Sequence, residues 1–130
     1  GGIVPLADFV NMPYDRDILV RVIVKKTVAH YSYKSVRISK TDFPVLTCAA
    51  ALTQEGVQAA VGARPAKAAL VKDAEQLATL PMTAEKAQAF AEYAAGLLAT
   101  ETNPRGSAAY RTHLIKVLTA RCLTELGGKA

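Results

Sequence analysis

Tryptophan is absent, and five tyrosines and three phenylalanines are the only aromatic side chains. A core without large rings has to be filled by alanine and the branched aliphatics, which a 51% apolar composition supplies. Cysteine is nearly absent too: Cys48 and Cys122 lie far apart in apolar company, which is neither a disulfide framework nor a zinc pattern. They read as buried free thiols in a reducing cytoplasm. No apolar run approaches the ~20 residues of a membrane-spanning helix. The opening Gly-Gly-Ile-Val-Pro-Leu lacks the basic start and long apolar stretch of a signal peptide. It also lacks an initiating methionine, which favours a chain cut from something longer.

The patterns that carry chemistry are missing as well. There is no G-x-G-x-x-G and no G-x-x-x-x-G-K-[ST], so the usual backbone cradle for a pyrophosphate is excluded. His30 and His113 have no acidic or thiol neighbour at ligand spacing and read as surface or half-buried side chains. Cys122 falls on an apolar helix face, where a thiol is core and not nucleophile. Paired carboxylates for acid–base work are not found. The sequence therefore reads as a domain with no catalytic site of its own.

The 130 residues suffice for one domain that buries roughly two thirds of the surface of its unfolded chain. The net charge of +5 is concentrated at the front: residues 1–40 carry seven Lys/Arg against Asp8, Asp15 and Asp17. A basic surface of this kind suits an acidic partner, a phosphate-bearing ligand or simple solvation. His30-Tyr31-Ser32-Tyr33-Lys34-Ser35-Val36-Arg37 interleaves aromatic and basic residues as nucleic-acid sheets do, but two tyrosines form no known RNA-binding motif, and nucleic acid is not the favoured partner.

Periodicity divides the chain into strands followed by helices. Residues 1–16, with Pro5 and Pro13, read as a lead-in segment. Asp17–Lys26 alternates apolar side chains with period two, the pattern of a half-buried strand. Val28–Arg37 is its expected partner. Leu46–Thr53, a turn at Gln54-Glu55-Gly56, and Val57–Ala63 form an expected hairpin. Helical spacing follows over Ala66–Ala78, ending before Pro81. Thr83 is suited to cap a helix over Ala84–Thr100, with Ala87, Phe90, Ala91, Ala94 and Leu98 on one face. Ser107 caps a last helix, Ala108–Leu126, stopped by Gly127-Gly128. Its apolar face holds Leu114, Val117, Leu118 and Cys122, with Tyr110 expected to anchor its start and Arg111 to pair with a carboxylate. The expected fold is α+β: a small antiparallel sheet of three to four strands packed against a three-helix layer.

Several segments, in order, resemble a known family. Val4-Pro5-Leu6-Ala7-Asp8-Phe9 is similar to the segment that leads out of the FAD-binding half in flavoprotein subunits of molybdenum hydroxylases, the xanthine dehydrogenase and CO dehydrogenase family. Asp17–Val24 resembles the strand that follows there. Tyr33, Lys34, Arg37, Asp42 and Phe43 match an aromatic–x–Lys–x–x–Arg stretch running into Asp-Phe, and Val61-Gly62-Ala63-Arg64-Pro65 a return-strand edge. The most specific likeness is Arg105-Gly106-Ser107-Ala108-Ala109-Tyr110-Arg111, which resembles the family's Gly-Ser-x-x-Tyr-Arg helix start. The chain departs from the family in having Ile38, Ser39 and Lys40 where consecutive arginines are common, and Ala63 for a second glycine.

The resemblance implies a domain that closes over the isoalloxazine edge of an FAD held mainly by a missing N-terminal half. Residues 1–16 would lead out of that half, and residues 17–130 would form the closing domain. It implies an iron–sulfur subunit and a molybdenum-cofactor subunit as further partners, no membrane, and electrons passing from the clusters to the flavin. It points to Tyr33, Lys34, Arg37, Lys40, Asp42 and Phe43 as the flavin-proximal residues. Lys34 or Lys40 would favour the anionic reduced flavin, and Phe43 with Pro44 would wall the ring. The alternative is a free-standing binding or assembly module of the same fold with no flavin role.

Overall fold

The computed structural model describes residues 2–13, 16, 18–26 and 30–128. Four strands form one antiparallel meander, β1 (His30–Arg37), β2 (Pro44–Thr53), β3 (Gly56–Gly62) and β4 (Ala69–Lys72), paired in sequence order. Among the described residues three helices complete the α+β fold: α1 (Leu6–Phe9), α2 (Ala84–Leu97) and α3 (Ala108–Gly127). Only α2 and α3 build the helical layer. The single turn α1 buries none of its residues, whereas α3 lies against β2 and β1 and α2 packs on α3.

The β2–β3 hairpin forms where its turn residues allow. Gly56 sits at φ +106°, a backbone conformation open to glycine and strained for other residues. The Thr53 hydroxyl donates to the Gly56 carbonyl at 3.0 Å and accepts from the Glu55 amide at 3.2 Å, closing the turn.

Registry sorts the sheet into two faces. Ser32, Ala50, Ala59 and Val71 share one row, all buried beneath the helices. The next row, Tyr33, Ala49, Ala60 and Leu70, points the opposite way because side chains alternate along a strand. On that open face Tyr31, Tyr33 and Leu70 are exposed beside small alanines.

The inner face joins Leu46, Cys48, Val57 and Val61 to Phe90, Ala94, Leu118, Cys122, Leu123 and Leu126 in one core. Alanines and aliphatics dominate it, as the lack of large rings requires. Helix α2 presents the expected face: Ala87, Phe90, Ala91 and Ala94 are fully buried and Leu98 closes the stripe. Thr83 and Ser107 cap the two helices, accepting from the Lys86 amide at 3.3 Å and the Tyr110 amide at 3.1 Å.

Two expected elements do not form. Residues 18–26 hold no strand, and Ile18, Val20 and Val24 are all more than four-fifths exposed. Period-two alternation fits a strand, but a strand is stabilised by a neighbour, and this segment pairs with no edge of the sheet. Asp17, at the start of that strand, and Val28, at the start of its expected partner, lie outside the described residues. Nor does Ala66–Ala78 become a helix. Its centre, Ala69–Lys72, extends as β4 along the free edge of β3, with Ala60 opposite Leu70. Arg64 holds the approach by donating to the Ala99 carbonyl at 2.7 Å and the Lys67 carbonyl at 2.9 Å. Asp73 then captures the amides of Leu77 and Ala78 at 2.9 and 2.8 Å, and Gln76 turns left-handed at φ +56°. Pairing and side-chain capture of amides override alanine's helical preference here.

Candidate functional site

The turn between β1 and β2 gathers four of the six residues that the sequence singles out, Arg37, Lys40, Asp42 and Phe43. Arg37, at the end of β1, donates to the Asp42 carbonyl at 2.6 Å. The Asp42 carboxylate accepts from the Phe43 amide at 2.7 Å and from Arg105 Nε at 3.2 Å. The Asp42 amide itself bonds the Ser39 carbonyl at 3.2 Å. Arg105 lies over the Phe43 ring, its guanidinium carbon 5.3 Å from the centroid, within cation–π range. Phe43 nonetheless keeps 73% of its surface in solvent. Lys40 stands exposed on the same turn. The corner thus carries three cations, Arg37, Lys40 and Arg105, about one carboxylate and one exposed ring.

Tyr33 and Lys34 do not belong to this cluster. Tyr33 projects from the open face of the sheet, 60% exposed. Lys34, next to it in sequence, points to the helical side and donates to Glu125 Oε2 on α3 at 2.7 Å. Ser32, buried, donates to the same oxygen at 3.0 Å. The hydrogen bond with Glu125 raises the Lys34 ammonium above its ordinary pKa. Its charge is therefore matched within the fold, unlike the surplus around Asp42.

Arg111 differs from its expected role. It is 1% exposed, and its hydrogen-bonding partners include no carboxylate. Nε donates to the Val45 carbonyl at 3.0 Å, Nη1 to the carbonyls of Glu101 and Gly106 at 2.7 and 2.6 Å, and Nη2 to Asn103 Oδ1 at 2.6 Å. The same Asn103 oxygen accepts from the Arg105 amide at 2.9 Å. One guanidinium thus gathers the 101–106 loop onto β2, using the planar fork of donors that only arginine has. Gly106 makes the close approach possible, since a Cβ there would stand 3.1 Å from Val45 Cγ1. Tyr110 is not the expected anchor, being nearly half exposed.

Cys48 and Cys122 are free and fully buried, as expected, and the fold brings them together across the sheet–helix interface. The Cys122 thiol donates to the Cys48 carbonyl at 3.9 Å, and the Cys48 sulfur lies 3.4 Å from Thr119 Oγ1. A hydrogen bond with the Cys122 thiol, then burial, pushes the Cys48 thiol far above its ordinary pKa. His30 and His113 are exposed. Among the described residues no cluster of His, Cys, Asp and Glu could hold a metal ion, and no helix is long and apolar enough to cross a membrane.

What the sequence missed is Arg105, 63 residues from its partner Asp42, and Glu125, 91 residues from Lys34. The signal for Arg105 was its place in the Arg-Gly-Ser helix start. Nothing near Lys34 in sequence points to Glu125.

A meander sheet under two helices, with an exposed ring and cations at one hairpin, defines a small α+β domain. The chain belongs to the CO dehydrogenase flavoprotein C-terminal domain family, which it matches over residues 31–126. That span contains both the β1–β2 corner and the Arg105–Arg111 helix start. No curated protein matches the chain. Among solved structures the fold is similar to quinoline 2-oxidoreductase from Pseudomonas putida 86, with 22% identity and a TM-score of 0.65, over 80% of this chain and 39% of that one. It is also similar to carbon monoxide dehydrogenase from Hydrogenophaga pseudoflava in a form lacking the Mo-pyranopterin moiety of the molybdenum cofactor. There the identity is 21% and the TM-score 0.66, over 79% of this chain and 38% of that one. The chain spans about two fifths of the length of these solved chains.

Proposed function

We propose that this chain is the closing domain of a flavoprotein subunit of a molybdenum hydroxylase. Residues 1–16 lead out of an N-terminal FAD-binding half, residues 17–130 close over the flavin, and the β1–β2 corner faces the isoalloxazine edge. The observation that carries this reading is the family match across residues 31–126, which includes every one of the six candidate residues. The corner suits one edge of a planar, electron-rich ring: Phe43 is exposed, and cations outnumber carboxylates around it. It does not suit a pyrophosphate, for which the sequence has no glycine-rich cradle.

FAD held between the two halves supplies the exchange of electrons between iron–sulfur clusters and a final acceptor. This chain's residues wall the ring with Phe43 and Pro44, bias the local potential with Arg37, Lys40 and Arg105, and exclude water from the closed edge. Lys34, already matched by Glu125, contributes less to that potential than Lys40 does. The partners on this reading are the FAD-binding half, an iron–sulfur subunit and a molybdenum-cofactor subunit, and the site of action is the cytoplasm. Exposed Tyr31, Tyr33 and Leu70 on the open sheet face offer an apolar surface for such a neighbour.

The test is flavin retention. The isolated chain is expected to lose FAD on gel filtration. Supplied together with the FAD-binding half, it should retain FAD and change its fluorescence, and Phe43→Ala should weaken that effect. Flavin binding by the other half that is indifferent to this chain would overturn the reading in favour of an assembly module.

A further inference from the structure

Phe43 is an exposed ring on a short turn, and such a ring ordinarily samples several rotamers. Here its surroundings are over-determined. Asp42 is held at four points: its carbonyl by Arg37, its amide by Ser39, and its carboxylate by both the Phe43 amide and Arg105. Arg105 in turn covers one face of the ring. What holds Arg105 is the loop 101–106, within which Asn103 and Gly106 bond each other at 3.1 and 3.0 Å. What holds the loop is buried Arg111, which bonds Glu101, Asn103 and Gly106 on one side and Val45 of β2 on the other.

A continuous chain of hydrogen bonds therefore runs from the interior to the exposed ring. It begins at Arg111, crosses Asn103 to the Arg105 backbone, and passes from the Arg105 side chain to Asp42 and Phe43. We infer that Arg105 and Arg111 are positioning residues that fix the orientation of Phe43 for a planar ligand, Arg105 directly and Arg111 through the loop. This rests on the flavin-closing reading for the identity of that ligand, but the ordering of Phe43 stands on the geometry alone. The most specific motif in the sequence, from Arg105 to Arg111, then joins the helix cap to the presentation of the ring. Arg105→Lys keeps the cation but loses the fork and the planar stack, and should restore the function only in part.

The experiment uses the full chain labelled with 4-fluorophenylalanine, which reports separately on Phe9, Phe43 and Phe90 by fluorine NMR. Phe43→Leu assigns the Phe43 line. Arg105→Gln is expected to narrow that line and move it toward the free amino acid, leaving the Phe90 line in place. Arg105→Lys should give an intermediate position, and Arg111→Gln the same shift as Arg105→Gln although it touches neither Asp42 nor Phe43. If Arg111→Gln also disperses the Phe90 line, the fold has been lost and the two Arg105 variants decide. A Phe43 line unmoved in Arg105→Gln overturns the proposal. With the FAD-binding half added, Arg105→Gln should weaken FAD retention about three- to tenfold, the range of a cation–π contact. A shifted Phe43 line with unchanged FAD retention supports the positioning role and overturns the flavin reading alone.

Discussion

Replacing Arg111 by methionine keeps an unbranched apolar stem while removing the guanidinium and its five donors. Four acceptors then lose a charged hydrogen bond: the carbonyls of Val45, Glu101 and Gly106 and the Asn103 amide oxygen, which keeps only the Arg105 amide. Hydrogen bonds to an ionised group contribute about 1.5–3 kcal/mol each, so a simple sum would exceed 6 kcal/mol. That sum overstates the loss. Asn103 can rotate, water can reach the Glu101 end of the loop, and the cost of burying the guanidinium itself is relieved. The Gly106 carbonyl keeps the Asn103 amide at 3.1 Å, so the Val45 carbonyl is the acceptor left without relief. With the lost charged hydrogen bonds and packing, the expected loss is about 3–5 kcal/mol. For a chain of this length that corresponds to a fall in Tm of about 10–20 °C. Arg111→Lys retains one cationic donor group and should lose roughly half as much. Urea unfolding followed by circular dichroism measures both. A loss below about 1 kcal/mol for Arg111→Met, at unchanged m-value, would refute the claim that this guanidinium organises the loop.

Four further outcomes are expected. Phe90→Ala removes the one fully buried aromatic ring among the described residues and should destabilise the chain by about 3–5 kcal/mol in the same assay. A smaller loss would mean that α2 collapses to fill the space. Native Cys48 and Cys122 should resist a soluble thiol reagent and react together on unfolding, so rapid labelling of the native protein would contradict their burial. Because Cys48 holds its proton above the ordinary value of 9.0, the unfolded chain ionises first as pH rises. The contribution of Cys48 is then complete below pH 9 and lost above it. The Cys122 thiol, held down to about 7 chiefly by its hydrogen bond with Cys48, adds stability as pH rises from 7 to 9. Stability should therefore peak near pH 9, and Cys48→Ala should flatten both limbs. Finally, brief trypsin treatment should cut first at Arg21, Lys25 or Lys26, which are exposed and outside any strand or helix, and leave a resistant fragment. First cuts at Lys86 or Arg121 in the helices would show that the segment is packed after all.

Local chemistry made most of the fold readable in advance. The β2–β3 hairpin followed from turn residues and alternation, and α2 and α3 from caps at Thr83 and Ser107 together with a stripe every three to four residues. Both misreadings concern neighbours and not propensities. Residues 18–26 have the right period, but in this chain they meet no strand to pair with. Residues 69–72 have helical composition but meet the unpaired edge of β3. At the candidate site the sequence pointed to Arg37, Asp42 and Phe43, which do assemble. It also grouped Tyr33 and Lys34 with them, but adjacent residues point to opposite faces of β1, so Tyr33 goes to the open face and Lys34 to the helical side. Arg105 and Glu125 arrive from the far end of the chain, and no local pattern reports a contact across 63 or 91 residues.

The order of the strands bears on how the domain is made. Because β1 to β4 pair in sequence order, each hairpin can close while the chain is still short, with little entropy lost to long loops. The inner face they create stays uncovered until α3 arrives, since that helix supplies Leu118, Cys122, Leu123 and Leu126 along with Glu125 and Arg111. During synthesis the nascent sheet is thus an apolar surface awaiting its lid, and the domain keeps its interior dry only once α3 has emerged to cover it. A message truncated anywhere before that helix yields a product whose exposed core marks it for chaperones and proteases.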